Sequence, residues 1–176
     1  TAVFSGFVVG DMEDNEGLAR AKEVCWRLLA RRDHSEEELA LKLAKRGFPG
    51  EVVTGTIDYF RELGYLNDRA FAAAQARRLA RGKGYGDRRL RAFLRERGIP
   101  ESLAGEAGAA VRQKWTEAQA VASLIEKKKQ HRPIKGDPQG KQRLFRYLLG
   151  RGFPPGLICE QINRAEEEDG HDDDGK

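Results

Sequence analysis

A ten-residue pattern occurs three times in this chain, and any fold proposed for it has to accommodate all three. It reads LALKLAKRGF at Leu39–Phe48, LRAFLRERGI at Leu90–Ile99 and LFRYLLGRGF at Leu144–Phe153. Aligned on Gly47, Gly98 and Gly152, the copies lie 51 and 54 residues apart. Leu39, Leu90 and Leu144 stand eight positions before the glycine, and Leu43, Leu94 and Leu148 four before it. Arg46, Arg97 and Arg151 precede the glycines; Phe48, Ile99 and Phe153 follow, and then Pro49, Pro100 and Pro154.

Leucines spaced by four share one face of a helix. The glycine sits where a helix stops in a left-handed conformation, and the proline after it cannot continue the same helix but can begin another. Val52, Leu103 and Leu157 open the apolar face of that next helix. A helical stretch also precedes each pattern, so each unit has three helices. A unit of about 50 residues buries little apolar surface alone, so neighbouring units must stack. The predicted fold is all-α, an elongated array of three tandem three-helix repeats. The repeats span 17–66, 67–112 and 113–165, after an irregular segment at 1–16 and before an acidic, disordered tail at 166–176.

Within the first repeat, Leu18, Ala21, Cys25, Leu28 and Leu29 give one helical face. Ser35 and Glu38 have the spacing of a capping box. Val53, Ile57 and Phe60 mark the third helix. In GYLND, Gly64–Asp68, the glycine closes a helix, Tyr65 and Leu66 enter the core, and Asn67 or Asp68 caps the helix that follows. That helix runs towards Arg81 through Phe71, Ala72, Ala76 and Leu79. The loop RGKGYG, Arg81–Gly86, then leads to Asp87, a cap for the central repeated helix.

Charge is unevenly placed. Glu166–Lys176 holds seven acidic residues and one lysine, whereas residues 1–165 carry 31 Lys and Arg against 21 Asp and Glu. A basic body of net charge +10 suits a polyanionic or acidic partner. The acidic tail either competes for the same surface or is simply solvated.

Several chemistries are not indicated. Cys25 and Cys159 lie far apart within helical patterns and read as two buried thiols, and His34, His131 and His171 have no ligand spacing to them. No metal or cofactor is expected. No apolar run is long enough to span a bilayer, Val3–Gly10 lacks the basic start of a signal peptide, and Thr1 in place of a start methionine suggests a trimmed chain. Gly82, Gly84 and Gly86 join two helices rather than a strand and a helix, and no Lys–Ser/Thr pair follows them. They therefore do not make a phosphate-binding P-loop. No nucleophile–base pair or paired carboxylates stand out, so an enzyme is not expected.

GYLND followed by RAFA, the basic KGYG loop and RRLRAFLRERGI resembles the RecX family, bacterial regulators of the RecA recombinase. The resemblance covers Ala19–Ala165, and the third unit departs from it by inserting KKKQHRPIKGDPQGKQ, Lys127–Gln142. It implies a cytoplasmic monomer that is not an enzyme. It also implies binding to the RecA–single-stranded-DNA filament and inhibition of its extension, ATPase and strand exchange. Single- and double-stranded DNA are further expected partners; a membrane is not.

Between Arg77 and Arg97 nine residues are basic and only Asp87 and Glu96 are acidic. Arg88, Arg91 and Arg95 fall at helical spacing opposite Leu90, Phe93 and Leu94, forming a stripe turned to solvent. Arg77 and Arg81 form a similar pair on the preceding helix, and Lys83 lies in the loop between. A second cluster is Lys127, Lys128, Lys129, Arg132 and Lys135. Guanidinium groups suit phosphates and carboxylates because their planar fork donates two parallel hydrogen bonds, while lysines steer anions to the surface. The candidate RecA- or DNA-binding surface is thus Arg77, Arg81, Lys83, Arg88, Arg91, Arg95, Lys127, Lys128, Lys129 and Arg132. For some of these a plainer role exists, since basic residues near helix C-termini complement the helix dipole. Tyr85 is the tyrosine best placed to stack on a base; Tyr65, Tyr147, Trp26 and Trp115 read as packing residues. A direct DNA-binding protein acting without RecA, or a scaffold for acidic protein surfaces, would carry the same charges.

Overall fold

The computed structural model describes residues 9–130 and 137–171. The described residues form nine α-helices and no strand. They are α1 (Val9–Leu29), α2 (Glu36–Ala44), α3 (Gly50–Glu62), α4 (Asp68–Arg77), α5 (Asp87–Arg95), α6 (Glu101–Arg112), α7 (Glu117–Lys129), α8 (Pro138–Gly150) and α9 (Pro155–His171). Each group of three corresponds to one repeat.

The repeated pattern is the middle helix of each repeat and its exit. Gly47, Gly98 and Gly152 have φ of +82°, +75° and +89°. At the first and third, the paired bonds of a Schellman turn close the helix: Phe48 N–H donates to Leu43 O and Gly47 N–H to Ala44 O, as Phe153 does to Leu148 and Gly152 to Leu149. Leu39, Leu43, Leu90, Leu94 and Leu148 are fully buried. Each such leucine contributes roughly 1.5–3 kcal/mol by leaving water.

The described residues up to Phe71, joined by Arg97–Ile99, form one compact unit. In it α1 and α2 pack on α3 around Ala21, Cys25, Leu43 and Phe60. Ala72–Glu96 and the described residues from Pro100 on form a second unit, in which α5 packs on α6, and α7 and α8 pack on α9. Val121, Ile125, Leu148, Phe153 and Ile158 form a core there.

Several local expectations are corrected. The stretch from Val9 to Glu16, expected to be irregular, is the start of α1, and Glu166–His171, placed in a disordered tail, is the end of α9. Ser35 accepts the Glu38 N–H at 3.1 Å, but the Glu38 carboxylate turns to Arg32 and Lys42 instead of closing a capping box. The full capping box is Thr116 with Gln119 on α7. Cys159 is exposed while Cys25 is buried. Tyr65 is 55% exposed, its ring edge-on to Trp26, itself 40% exposed, so GYLND buries only Leu66.

The first N–H of the middle helix in each of the first two repeats is met by the opening residue of the next repeat's first helix, in α2 in addition to the Ser35 cap. Asp68, the first residue of α4, accepts the Glu36 N–H at the start of α2 at 3.0 Å. Glu117, the first residue of α7, accepts the Asp87 N–H at the start of α5 at 2.8 Å. Of the two residues expected to cap α4, Asn67 does so, accepting the Ala70 N–H at 2.9 Å, whereas Asp87 does not cap α5 as expected but pairs with Arg112 at 2.6 Å. The third middle helix caps itself, through Asp137 to the Gly140 N–H.

Candidate functional site

The helix through Arg77 does not run on regularly to Arg81. Arg78–Gly82 forms a wide π turn, a feature that recurs at functional sites because it redirects side chains out of α register. Arg77 and Arg81 therefore do not form the i, i+4 pair their spacing suggests. After this turn the chain makes a tight loop through Gly84, at φ +61°, to Gly86.

That loop is pressed against the exit of α8. Gly86 N–H donates to Arg151 O at 2.8 Å, and a Cβ on Gly86 would stand 2.6 Å from the Gly152 backbone. Only glycine permits this approach. Arg112 holds the loop from the other side, with Nη2 donating to Tyr85 O at 2.8 Å, Nη1 to Trp115 O at 3.3 Å and Nε to Asp87. Its side chain is 12% exposed, so these bonds are sheltered from water. Tyr85 is thereby fixed by its own backbone.

Together these elements wall a pocket of about 450 Å³. Arg81, Lys83 and Lys127 line it with Arg89 and Arg151, and Tyr85, Trp115 and Tyr147 contribute aromatic surface. Among the described residues no carboxylate is in the lining. Arg151 lies 4.8 Å from the Tyr147 ring centre and 5.8 Å from that of Tyr85, and donates to Lys83 O. Arg89 lies 4.7 Å over the Tyr85 ring and donates to Gly150 O. Such cation–π stacking keeps both guanidinium planes ordered without neutralising them.

The expected surface residues fall into distinct groups. Arg81, Lys83 and Lys127 are exposed, converge on the pocket and have no ionic or hydrogen-bonding side-chain partner among the described residues. Lys128 is exposed and lies 4.9 Å from the Tyr147 ring centre. Lys129 is withdrawn, its side chain 14% exposed between Glu126 at 3.2 Å and Ala165 O at 3.3 Å. Arg88, Arg91 and Arg95 do face solvent on α5, away from the pocket lining. Of these, Arg88 reaches Leu149 O at 3.5 Å and Arg91 pairs with Glu101 at 3.2 Å, leaving Arg95 as the stripe's unpaired member among the described residues. Arg77 is likewise exposed without a described partner, outside the pocket. Arg132 and Lys135 lie outside the described residues.

Arg89 and Arg151 are the site residues that spacing did not single out. Arg151 had a signal in its place before the third repeated glycine, but nothing in the repeat shows that its side chain reaches back to the Lys83 loop. No cluster of metal-ligating side chains and no membrane-length apolar helix occurs among the described residues.

Comparison with known proteins places the fold. Residues 21–60, 67–107 and 116–162 match the profiles of the first, second and third three-helix domains of RecX. This chain belongs to the RecX family. It is 40% identical over 152 residues to the regulatory protein RecX of Vibrio cholerae serotype O1 (strain M66-2), covering 86% of this chain and 97% of that one. The identity to the regulatory protein RecX of Thermus thermophilus is 38% over 143 residues, with coverage of 81% and 89%. The crystal structure of RecX from Lactobacillus salivarius superposes with a TM-score of 0.74 at 17% identity, over 87% of this chain and 98% of the other. A second RecX crystal structure gives a TM-score of 0.75 at 20% identity, over 93% and 79%. RecX proteins are regulatory proteins by name, and these structures share the fold of this chain.

Proposed function

We propose that this chain regulates the RecA recombinase by binding the RecA–single-stranded-DNA filament as a monomer in the cytoplasm and restraining its extension, ATP hydrolysis and strand exchange. Membership of a family of regulatory proteins supports the regulatory part. The observation that carries the contact with a DNA-containing partner is the carboxylate-free pocket with three cations at its wall, Arg81, Lys83 and Lys127, unpartnered among the described residues. Exposed arginines elsewhere, such as Arg61 and Arg91, are neutralised by carboxylates. Unneutralised charge is what a phosphate backbone recruits, through release of its condensed counterions. Arg77, Arg88 and Arg95 extend the basic surface beyond the pocket, Arg91 on the same stripe being paired with Glu101, and Lys128 extends it along α7.

The test is RecA's single-stranded-DNA-dependent ATP hydrolysis with this protein added well below the RecA concentration. Loss of hydrolysis at such ratios is the expected result, since competition for DNA alone requires far more protein. Inhibition that sets in only as the DNA becomes saturated would overturn the filament reading in favour of direct DNA binding without RecA, which the same cations support.

A further inference from the structure

The pocket between the Arg81–Gly86 loop, α7 and α8 combines two chemistries in one concavity. Its cations alone are explicable, because Arg81 and Lys127 lie near helix ends where positive charge is favourable. Its rings alone would be ordinary packing. The recess holds both, with no carboxylate among its walls and three cations left without partners among the described residues. It is therefore complementary to an anion that carries a planar ring able to stack. At about 450 Å³ it falls within the roughly 300–1,000 Å³ usual for small-ligand sites.

We propose that this pocket receives one unstacked nucleotide, its phosphate held by Arg81, Lys83 and Lys127 and its base placed against the wall of Tyr85, Arg151 and Tyr147. This is not a P-loop: the anion is met by side-chain cations rather than by a cradle of backbone N–H groups. Base stacking on aromatic and guanidinium planes is indifferent to sequence, so the site reads single-strandedness rather than a base code. A paired base within a duplex cannot enter a recess, and a duplex engages the rim cations only. Arg112 acts as a positioning residue, because its bond to Tyr85 O and ion pair with Asp87 set the loop that carries the ring. The proposal deepens the function above by naming a ligand for the basic surface, and rests on it only for the choice of single-stranded DNA as ligand.

The test uses the full chain, without RecA, and fluorescence anisotropy with a labelled short oligodeoxythymidine. The probe is compared with an abasic strand of equal length and with a duplex. The abasic strand and the duplex are expected to bind about tenfold more weakly than the intact strand, a range set by the stacking of one base. Tyr85→Leu, which keeps apolar bulk in the loop, is expected to remove most of that preference, and Arg81→Glu with Lys83→Glu to weaken intact and abasic strands alike, with helicity by circular dichroism unchanged. Equal affinity for intact, abasic and duplex DNA would overturn the pocket, as would a base preference that persists in folded Tyr85→Leu. Thymidine monophosphate as competitor identifies the source: displacement of the strand means the pocket also accepts a free nucleotide, and no displacement means it needs the flanking phosphates of a chain. RecA hydrolysis is measured separately, so each reading can fail without the other.

Discussion

At the scale of single residues, the same residue type occupies very different surroundings, and reactivity follows the surroundings. Burial pushes the Cys25 thiol up to about 11, with Arg46 offsetting part of the rise, whereas Cys159 is exposed. A thiol-specific reagent at neutral pH is therefore expected to modify Cys159 in the folded protein, and Cys25 only after denaturant is added. His34 is 4% exposed, with its Nδ1 against Arg32 O at 2.9 Å and its Nε2 facing the Lys42 ammonium at 2.7 Å. Burial, with the nearby Arg32 and Lys42 charges, lowers its pKa despite the bond to the Arg32 carbonyl and the Glu38 charge. The unfolded chain then takes up a proton there before the folded one does. Stability is whole above about pH 6.5 and falls as pH drops through the unfolded value towards the folded one. Urea unfolding between about pH 7 and 5 should show this slope, and His34→Gln should flatten it. Two glycines separate conformation from space. Gly47→Ala meets nothing within 4 Å and should cost roughly 1–2 kcal/mol for its positive φ alone, while Gly152→Ala also drives a Cβ to 2.6 Å from the Arg89 nitrogen and should cost more. Equal thermal shifts for the two would mean the Gly152 turn can give way.

At the scale of elements, what is local in sequence was legible and what is distant was not. The middle helices, their glycine stops and the leucine stripes follow from residues three to eight positions apart, and they stand where the pattern put them. The acceptors supplied by the next repeat did not show, because Asp68 and Glu117 serve backbone groups 32 and 30 residues earlier. Burial, helped by the neighbouring Glu36 and Glu37 carboxylates at Asp68 and by Asp87 at Glu117, raises the pKa of both carboxyls against the N–H bonds they accept. Glu117→Ala removes the acceptor for the Asp87 N–H and should destabilise the protein by about 1 kcal/mol, the usual cost of a lost cap. A denaturant midpoint unchanged from the parent would show that water takes over the role. The early start of α1 was hidden because DMEDNE has no apolar period, although its chain continues the helix that Ala21 and Cys25 anchor. Of the candidate site, the charges were legible but their convergence was not. Arg81, Lys83 and Lys127 meet only because the π turn and the Gly86–Gly152 contact bring the loop to α8.

At the scale of the whole molecule, the net charge of the basic body sets how binding responds to ions. If phosphates are held by Arg81, Lys83 and Lys127 with the rest of the basic surface, log affinity for single-stranded DNA should fall linearly with log salt, and Lys127→Gln should reduce the slope by about one contact. A slope unaffected by Lys127→Gln would place that lysine outside the interface. The acceptors supplied by the next repeat have a different consequence, one of order in time. The first N–H of α2 meets its acceptor in Asp68 and that of α5 in Glu117, both in the following repeat, while Ser35 and Asp137 cap α2 and the last middle helix from directly before them. During synthesis, therefore, these two N–H groups are expected to gain their acceptors only once the opening residue of the next repeat has emerged.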